Sequence, residues 1–206
     1  MSARAVTRPP FIGLTGGIAA GKSEALAAFA RAGAETLSTD AVVHELLASA
    51  DVRERLVERW GESVAPGGEV DRARVGQIVF GAADELAWLE SMLHPLVGER
   101  IVAWRKALPA DARLAVVEVP LLFEGHLAEA FDATVCVVAD DELRRRRAAE
   151  RGTELLEGRS ERQLSQEEKA ARATHVVRND GSREDLGAAV ARLAEELAGR
   201  AEEARS

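Results

Sequence analysis

The chain has 206 residues, of which 47% are hydrophobic and 30% are charged, and its formal net charge is −8 at pH 7. This length and balance predict one globular domain with elaborations rather than two independent domains. The excess of acidic residues argues against general binding to a nucleic-acid backbone, which requires a basic surface. The chain has a single cysteine, Cys136, so an internal disulfide is excluded. Cys136 lies in an apolar run, which predicts a buried strand residue.

No apolar run approaches the ~18 residues that a membrane-spanning helix requires. Residues 1–10 lack the apolar stretch of a signal peptide and are expected to precede the first strand as a tail. These features predict a cytoplasmic protein that binds no membrane.

The first motif of the chain lies between residues 11 and 23. Gly16 is followed by four residues and then by Gly21-Lys22-Ser23, which matches the G-x-x-x-x-G-K-[ST] pattern of a phosphate-binding loop. An apolar run before the loop predicts a strand, and apolar residues at helical spacing after it predict a helix. Backbone N–H groups and a helix N-terminus bind phosphate in such a loop, where Lys22 would contact the β- and γ-phosphates and Ser23 would ligate Mg²⁺. The motif predicts binding of a nucleoside triphosphate.

A carboxylate follows the second predicted strand. That strand covers residues 34–38, and the next predicted helix opens with Thr39 and Asp40. Because Asp commonly caps helices, a purely structural role is one interpretation of Asp40. The other is functional, since ligands of doubly wound sheets bind at the carboxyl ends of the strands.

The middle of the chain is predicted to be helical. Helices are expected over residues 51–60, 71–80, 86–93 and 96–108, with His94-Pro95 separating the last two. All the tryptophans, Trp60, Trp88 and Trp104, lie in this part of the chain. They are interpreted either as core aromatics or as part of an insertion that contacts a second substrate.

Further strands are predicted over residues 113–120 and 133–139. Strands that alternate with helices indicate a parallel sheet. Glu118 is the only charged residue inside the apolar part of its strand. Burial of a charge without a partner costs free energy, so Glu118 is expected to have a partner. Its simplest predicted role is that of a carboxylate that orients the Mg²⁺ shell.

An arginine run, Arg144 to Arg147, lies in the helix predicted over residues 140–151. Arg144, Arg147 and Arg151 share one helix face, where guanidinium groups can bind polyphosphate. A polar helix predicted over residues 159–173 completes a segment typical of a lid in phosphoryl-transfer enzymes. A strand with a turn over residues 175–181 and an amphipathic helix are predicted to follow.

Other motifs select among the classes of phosphate-loop protein. The D-x-x-G and N-K-x-D motifs of switch GTPases are both missing from the sequence. A small kinase with inserted acceptor-binding helices and an arginine-bearing lid fits better.

Sequence blocks along nearly the whole chain point to one family: Leu14–Ser23, Thr39-Asp40, Val70–Arg72, Ile78–Phe80, Leu93–Val97, Val117–Glu124, Arg147-x-x-x-Arg151, Arg159-x-x-x-Gln163, Lys169–Ala173 and Val177–Gly181. In their joint order they resemble the dephospho-CoA kinases, which phosphorylate the ribose 3′-hydroxyl of dephospho-CoA in the last step of coenzyme A synthesis. The resemblance implies an α/β, three-layer P-loop kinase fold with a parallel central sheet. It also implies a nucleotide-binding core over about residues 11–50 and 110–206, an inserted helical segment over about 51–109 and a helical lid over about 145–173.

The resemblance also implies roles for particular residues. The expected catalytic residues are Asp40, Lys22 and Arg147. ATP is expected to contact Gly17, Ala19, Ala20, Gly21, Lys22, Ser23, Glu24, Arg147, Arg151 and Arg159. Dephospho-CoA is expected to contact Asp40, Arg72, Phe80, His94, Leu121 and Glu124, and Mg²⁺ to be held by Ser23 and Glu118. The expected partners are these small molecules only, with no nucleic acid, and the enzyme is expected to be a monomer.

Several residues depart from the family pattern as the resemblance defines it. Ala19 replaces a common glycine, so the loop must accommodate a Cβ atom. Glu24 replaces a frequent Thr beside the triphosphate. The second strand of the family usually ends in Asp-x-Asp, and here Ser38 replaces the first of these acids, so that only Asp40 remains. Glu118 and Thr174 each stand where Asp is typical.

Two other functions remain open on the sequence. A kinase for a different small acceptor, such as a nucleoside monophosphate or a sugar acid, would share every feature of the loop. A nucleotide-sensing module without enzymatic activity is the second alternative, although it would not require a candidate base and a lid.

Overall fold

Five parallel strands of the described residues form one sheet, in the order β2-β3-β1-β4-β5. The strands are β1 (Phe11–Gly16), β2 (Glu35–Ser38), β3 (Ala115–Glu118), β4 (Ala133–Val138) and β5 (His175–Arg178). All residues of β1 and β3 are buried, which explains why these segments are continuous apolar runs rather than alternating patterns. The predicted parallel α/β fold is confirmed.

The computed structural model describes residues 8–150 and 163–203. Its helices are α1 (Lys22–Arg31), α2 (Thr39–Leu47), α3 (Ala50–Trp60), α4 (Arg72–Gly81), α5 (Ala83–Lys106), α6 (Asp141–Glu150), α7 (Gln166–Arg172) and α8 (Arg183–Glu203). Short 3₁₀ turns lie at Glu62–Val64, Pro66–Gly68 and Ala128–Ala130. Within the described ranges, no helix combines the length and the apolar character needed to cross a membrane.

The chain divides into two compact units. The first comprises the described parts of Met1–Ser38 and Leu108–Ser206 and contains the whole sheet, with α1 and α8 packed against each other and their apolar faces in one core with the strands. Cys136 is buried in β4, as predicted, and burial raises the pKa of its thiol to about 11. The second unit, Thr39–Ala107, consists of the helices α2 to α5 and two of the 3₁₀ turns. We call the first the sheet unit and the second the helical unit.

The prediction of two helices separated at His94-Pro95 is wrong. Instead, α5 continues through Pro95 from Ala83 to Lys106. A proline inside a helix removes one backbone hydrogen bond and costs about 3 kcal/mol or more. Here α5 packs against both α2 and α4 and buries Leu89, Met92 and Leu93, so tertiary packing offsets that local cost.

The polar helix predicted over residues 159–173 begins later than expected. Residues 159–162 lie outside the described part of the chain, and Gln163 to Ser165 are not helical. The Ser165 side chain accepts a hydrogen bond from the Glu168 backbone N–H, and the Glu168 side chain accepts one from the Ser165 N–H. This capping box fixes the start of α7 at Gln166.

Candidate active site

The phosphate loop connects the end of β1 to the start of α1. Gly16 and Gly21 have positive φ angles of 157° and 100°. A Cβ atom at Gly16 would overlap the carbonyl oxygen of Val137, and one at Gly21 would overlap the side-chain amide of Asn179. Both glycines are therefore required by close approach of neighbouring groups, and at Gly21 also by the left-handed backbone.

Side chains from distant parts of the chain bind the carbonyl oxygens of this loop. Arg144 Nε donates to the Ile18 oxygen at 3.0 Å, and Asn179 Nδ2 donates to the Ala20 oxygen at 2.8 Å. Lys22 Nζ donates to the Gly17 oxygen at 3.1 Å. In a trans peptide the N–H points away from the carbonyl, so the N–H groups that follow Ile18 and Ala20 are directed away from these tethers. Such an arrangement of N–H groups suits an anion.

Ala19 adopts a left-handed backbone conformation with φ of 57°. This conformation raises the free energy of a residue with a Cβ atom by roughly 1–2 kcal/mol, whereas glycine adopts it without strain. The departure noted in the sequence thus introduces local strain next to Ala20, which is buried. The loop keeps its shape because the carbonyls on either side of Ala19 are held by Arg144 and Asn179.

Ser23 and Glu118, the predicted metal ligands, lie together. The Ser23 hydroxyl donates to Glu118 Oε1 at 3.4 Å, and Glu118 is only 3% exposed at the carboxyl end of β3. The described residues contain no group of three or more His, Cys, Asp or Glu side chains that could bind a metal alone. Oxygen ligands in this small number fit Mg²⁺, which usually binds through one or two protein groups together with substrate phosphates.

A cavity of about 240 Å³ adjoins the phosphate loop. Its described lining consists of Gly21, Glu24, Arg147, Glu150, Asn179, Gly181 and Arg183. Arg147 donates to the Asn179 carbonyl oxygen at 3.2 Å, which places its guanidinium on this side of the loop. Arg145 instead lines a different surface pocket, with Asp140 and Asp180. Two further predicted nucleotide contacts, Arg151 and Arg159, lie outside the described residues.

Glu24, the second departure at the loop, is paired with two arginines. Its carboxylate lies 3.1 Å from an Arg31 guanidinium nitrogen and 3.6 Å from one of Arg183. Both guanidinium groups are largely exposed, so each pair contributes little to folding stability. They do offset the negative charge that Glu24 introduces near the predicted triphosphate site.

The loop after β3 contains two predicted acceptor contacts, Leu121 and Glu124. Both are half-buried. Glu124 Oε1 lies 3.0 Å from Nζ of Lys169, a lysine that sequence reasoning left without a role. Leu121 and Glu124 belong to the same unit as the phosphate loop.

The other acceptor candidates lie in the helical unit. Asp40 is exposed in the first turn of α2 and is not its N-terminal cap, because Thr39 already belongs to the helix. Arg72 lines a cavity of about 370 Å³ together with His44 and Arg53. The described lining of this cavity does not include Phe80 or His94. Phe80 is exposed on α4, and His94 is exposed on α5.

Two of the tryptophans form a structural cluster in the helical unit. The Trp60 and Trp88 rings make an edge-to-face contact at 5.1 Å, and Trp60 Nε1 donates to Glu85 at 2.8 Å. Arg59 also donates to Glu85, and hydrogen bonds from Arg59 and Trp60 lower the pKa of that carboxyl. This arrangement favours the interpretation of Trp60 and Trp88 as packing residues between α3 and α5.

Sequence reasoning missed the support of the loop by Asn179 and Arg144. Asn179 is the only asparagine of the chain, and it lies just after β5, a strand that pairs with β4 rather than with β1. Asparagine is common in turns, so the predicted turn already accounted for Asn179. The sequence around it does not indicate a contact with Ala20, 159 residues away.

Comparison with solved structures defines the class of protein. The chain is similar to the crystal structure of TT1252 from Thermus thermophilus, with a TM-score of 0.78, 33% identity, and coverage of 93% of this chain and 99% of that one. A dephospho-CoA kinase from Campylobacter jejuni has the same fold, with a TM-score of 0.65, 22% identity, and coverage of 93% and 98%. Together with the loop motif, this likeness defines an α/β protein with a parallel sheet and a phosphate-binding loop.

Sequence comparison identifies the family. The model of the dephospho-CoA kinase family matches residues 10–185. The dephospho-CoA kinase of Thermobifida fusca is 37% identical over 90% of this chain and 95% of its own length, and that of Deinococcus radiodurans is 39% identical over 87% and 88%. The chain belongs to the dephospho-CoA kinase family, whose activity is the transfer of phosphate from ATP to dephospho-CoA in coenzyme A synthesis. The resemblance noted in the sequence is confirmed.

Proposed function

We propose that this chain transfers the γ-phosphoryl group of ATP to the ribose 3′-hydroxyl of dephospho-CoA, with Asp40, Lys22 and Arg147 as its catalytic residues. The observation that supports this most is the tethered phosphate loop. The carbonyl oxygens of Ile18 and Ala20 are bound by Arg144 and Asn179, which directs the N–H groups of Ala19 and Gly21 away from these contacts and towards a triphosphate at the N-terminal end of α1.

ATP binds on the loop side of the sheet unit in this proposal. Gly17, Ala19, Ala20, Gly21 and Glu24 contact the triphosphate through their backbone, and Lys22 exchanges its loop carbonyls for the β- and γ-phosphates. The nucleoside occupies the cavity lined by Arg147 and Asn179. Arg147 neutralises phosphate oxygens, and we assign the same role to Arg151 and Arg159.

Mg²⁺ is proposed to be held by Ser23 and Glu118, whose side chains lie 3.4 Å apart. When bound, the ion supplies positive charge to the phosphate oxygens as the reaction proceeds. Glu118 keeps the Ser23 hydroxyl oriented through their hydrogen bond, and burial of Glu118 holds its carboxylate at the end of β3.

The acceptor is proposed to be bound by Arg72, Phe80, His94, Leu121 and Glu124. Asp40 would orient the acceptor hydroxyl and accept its proton, a contribution of about 10²–10⁴-fold to the rate. Because the transition state of phosphoryl transfer is loose, most of the acceleration comes from positioning and from neutralisation of charge.

Product analysis tests this function. The purified chain is incubated with ATP, Mg²⁺ and dephospho-CoA, and the products are separated and identified by mass spectrometry with fragmentation. Coenzyme A phosphorylated at the 3′ position is the expected product. Preferred phosphorylation of a nucleoside monophosphate or a sugar acid would assign a different acceptor, and ATP binding without any acceptor-stimulated turnover would indicate a nucleotide-sensing module.

A further inference from the structure

Lys169 is a buried charged residue beside the proposed active site. It belongs to α7 and its side chain is only 1% exposed. Nζ lies 3.0 Å from Glu124 Oε1 and donates a hydrogen bond to the Pro120 carbonyl oxygen at 2.8 Å. Burial of an ammonium group is costly unless it is paired and hydrogen-bonded, so these contacts determine where α7 and the loop after β3 meet.

The partners of Lys169 connect it to both chemical elements of the site. Pro120 follows the proposed metal residue Glu118 by two positions, and its carbonyl oxygen also accepts a hydrogen bond from Thr15 Oγ1 at 3.2 Å. Thr15 immediately precedes Gly16 of the phosphate loop. One carbonyl oxygen therefore joins α7, the loop after β3 and the strand that leads into the phosphate loop.

The two carboxylate oxygens of Glu124 have different environments. Oε1 is bound by Lys169 at 3.0 Å and by the backbone N–H of Leu164 at 3.0 Å. Oε2 is buried and has no hydrogen-bond partner in the part of the chain that the structure describes. A buried acceptor without a donor is unfavourable, so Oε2 is suited to receive a donor from a bound molecule.

We propose that Lys169 is a positioning residue for the acceptor substrate. It fixes Glu124 through Oε1, which leaves Oε2 free to accept a hydrogen bond from a hydroxyl or amino group of the acceptor nucleotide. The inference rests on the proposed function, in which Glu124 contacts the acceptor. Lys169 acts through Glu124 rather than by contact with the substrate, because its side chain is only 1% exposed.

The main test compares Lys169→Met with wild type in steady-state kinetics. Methionine keeps an unbranched stem but removes the ammonium group. We expect the KM for dephospho-CoA to rise by about tenfold or more, the usual effect of losing one hydrogen bond to a charged group. The KM for ATP and the affinity for ADP measured by calorimetry should stay within twofold of wild type. Lys106→Met is the matched control, since Lys106 is exposed in the last turn of α5 and should leave all these values unchanged.

A merely structural role predicts a different result. In that case Lys169→Met would lower the melting temperature while the KM for dephospho-CoA per folded molecule stayed at the wild-type value, and the proposal would be overturned. An equal rise of both KM values would also overturn it, since the effect would not be specific to the acceptor.

Removal of one member of a buried ion pair can prevent folding, so a second variant is needed. Lys169→Met combined with Glu124→Gln removes both charges, which buried sites tolerate better than the loss of one. The double variant is compared with Glu124→Gln alone. Because Lys169 acts through Glu124, we expect the two to share the same raised KM for dephospho-CoA, and a wild-type KM in the double variant, or a second independent increase on top of that of Glu124→Gln, contradicts the proposal. Wild-type enzyme is assayed first, so failure to phosphorylate dephospho-CoA would be seen there and would refute the function itself rather than the role of Lys169.

Discussion

The phosphate loop and the acceptor candidates of the helical unit differ in how their side chains are held. Loop carbonyls are bound by Arg144 and Asn179, residues far away in the sequence, and the loop starts from a fully buried strand. Asp40, Phe80 and His94, by contrast, are exposed on the surfaces of three different helices. The proposed triphosphate site is thus ordered before any ligand binds, whereas the proposed acceptor residues of the helical unit have little packing to fix them.

This difference has a consequence for binding. A preorganised site pays less entropy when its ligand binds, so its affinity should depend on the groups that keep it in place. Exposed residues that act on the acceptor should instead affect turnover and acceptor binding, with little effect on the nucleotide. The following variants test that separation.

The largest effect is expected for Asp40→Asn. If Asp40 accepts the proton of the acceptor hydroxyl, kcat should fall by about 10²–10⁴-fold. Calorimetry should show unchanged ADP affinity, because Asp40 is outside the phosphate loop. Asp51→Asn is the control, since Asp51 is also an exposed acidic residue in the first turn of a helix. Wild-type turnover of Asp40→Asn would show that Asp40 does not accept the proton.

Arg147→Ala should have the next largest effect. Its guanidinium lines the cavity beside the loop, and loss of a hydrogen bond to a charged group costs about 10–100-fold. The measurement is kcat/KM for ATP. Arg145→Ala, in the same helix but lining a different pocket, should stay near wild type. Equal losses in both variants would mean that the arginine run acts only as a charged surface.

A smaller effect is expected for Asn179→Ala, which removes the donor to the Ala20 carbonyl oxygen. ADP affinity should fall by about tenfold, equivalent to about 1.4 kcal/mol, because the loop must then be ordered by the ligand. Asp180→Asn changes the neighbouring residue without removing a loop tether and should leave calorimetric affinity unchanged. Wild-type affinity in Asn179→Ala would show that the loop holds its shape without this contact.

The smallest effect is expected for Ala19→Gly. Glycine removes the strain of the left-handed conformation, so thermal unfolding should show a stability gain of about 0.5–1 kcal/mol. Ala27→Gly is the matched control in the exposed face of α1, where the same change should cost about 1 kcal/mol. Destabilisation of both variants by the same amount would contradict the assignment of strain to Ala19.

Local patterns predicted most of the fold. The apolar runs that form β1 and β3 are long enough to mark buried strands, and the loop motif between β1 and α1 needs only neighbouring residues. The continuous α5 could not be predicted, because proline opposes a helix locally and the compensating contacts come from α2 and α4. The start of α7 is different, because Ser165 and Glu168 form the local S-x-x-E pattern of a capping box, a signal that the predicted helix over residues 159–173 did not use.

For the site, the sequence alone determined the loop, its Lys22 and Ser23, and the family to which the chain belongs. A phosphate-binding motif and the ordered blocks of the family are properties of residues close together in the chain. Only the tertiary structure decided that Asn179 and Arg144 support the loop, that Ser23 lies beside Glu118, and that Lys169 pairs with Glu124. These contacts join residues that are 45 to 159 positions apart in the chain. Such residues meet because of the strand order of the sheet, and no local pattern indicates the pairing.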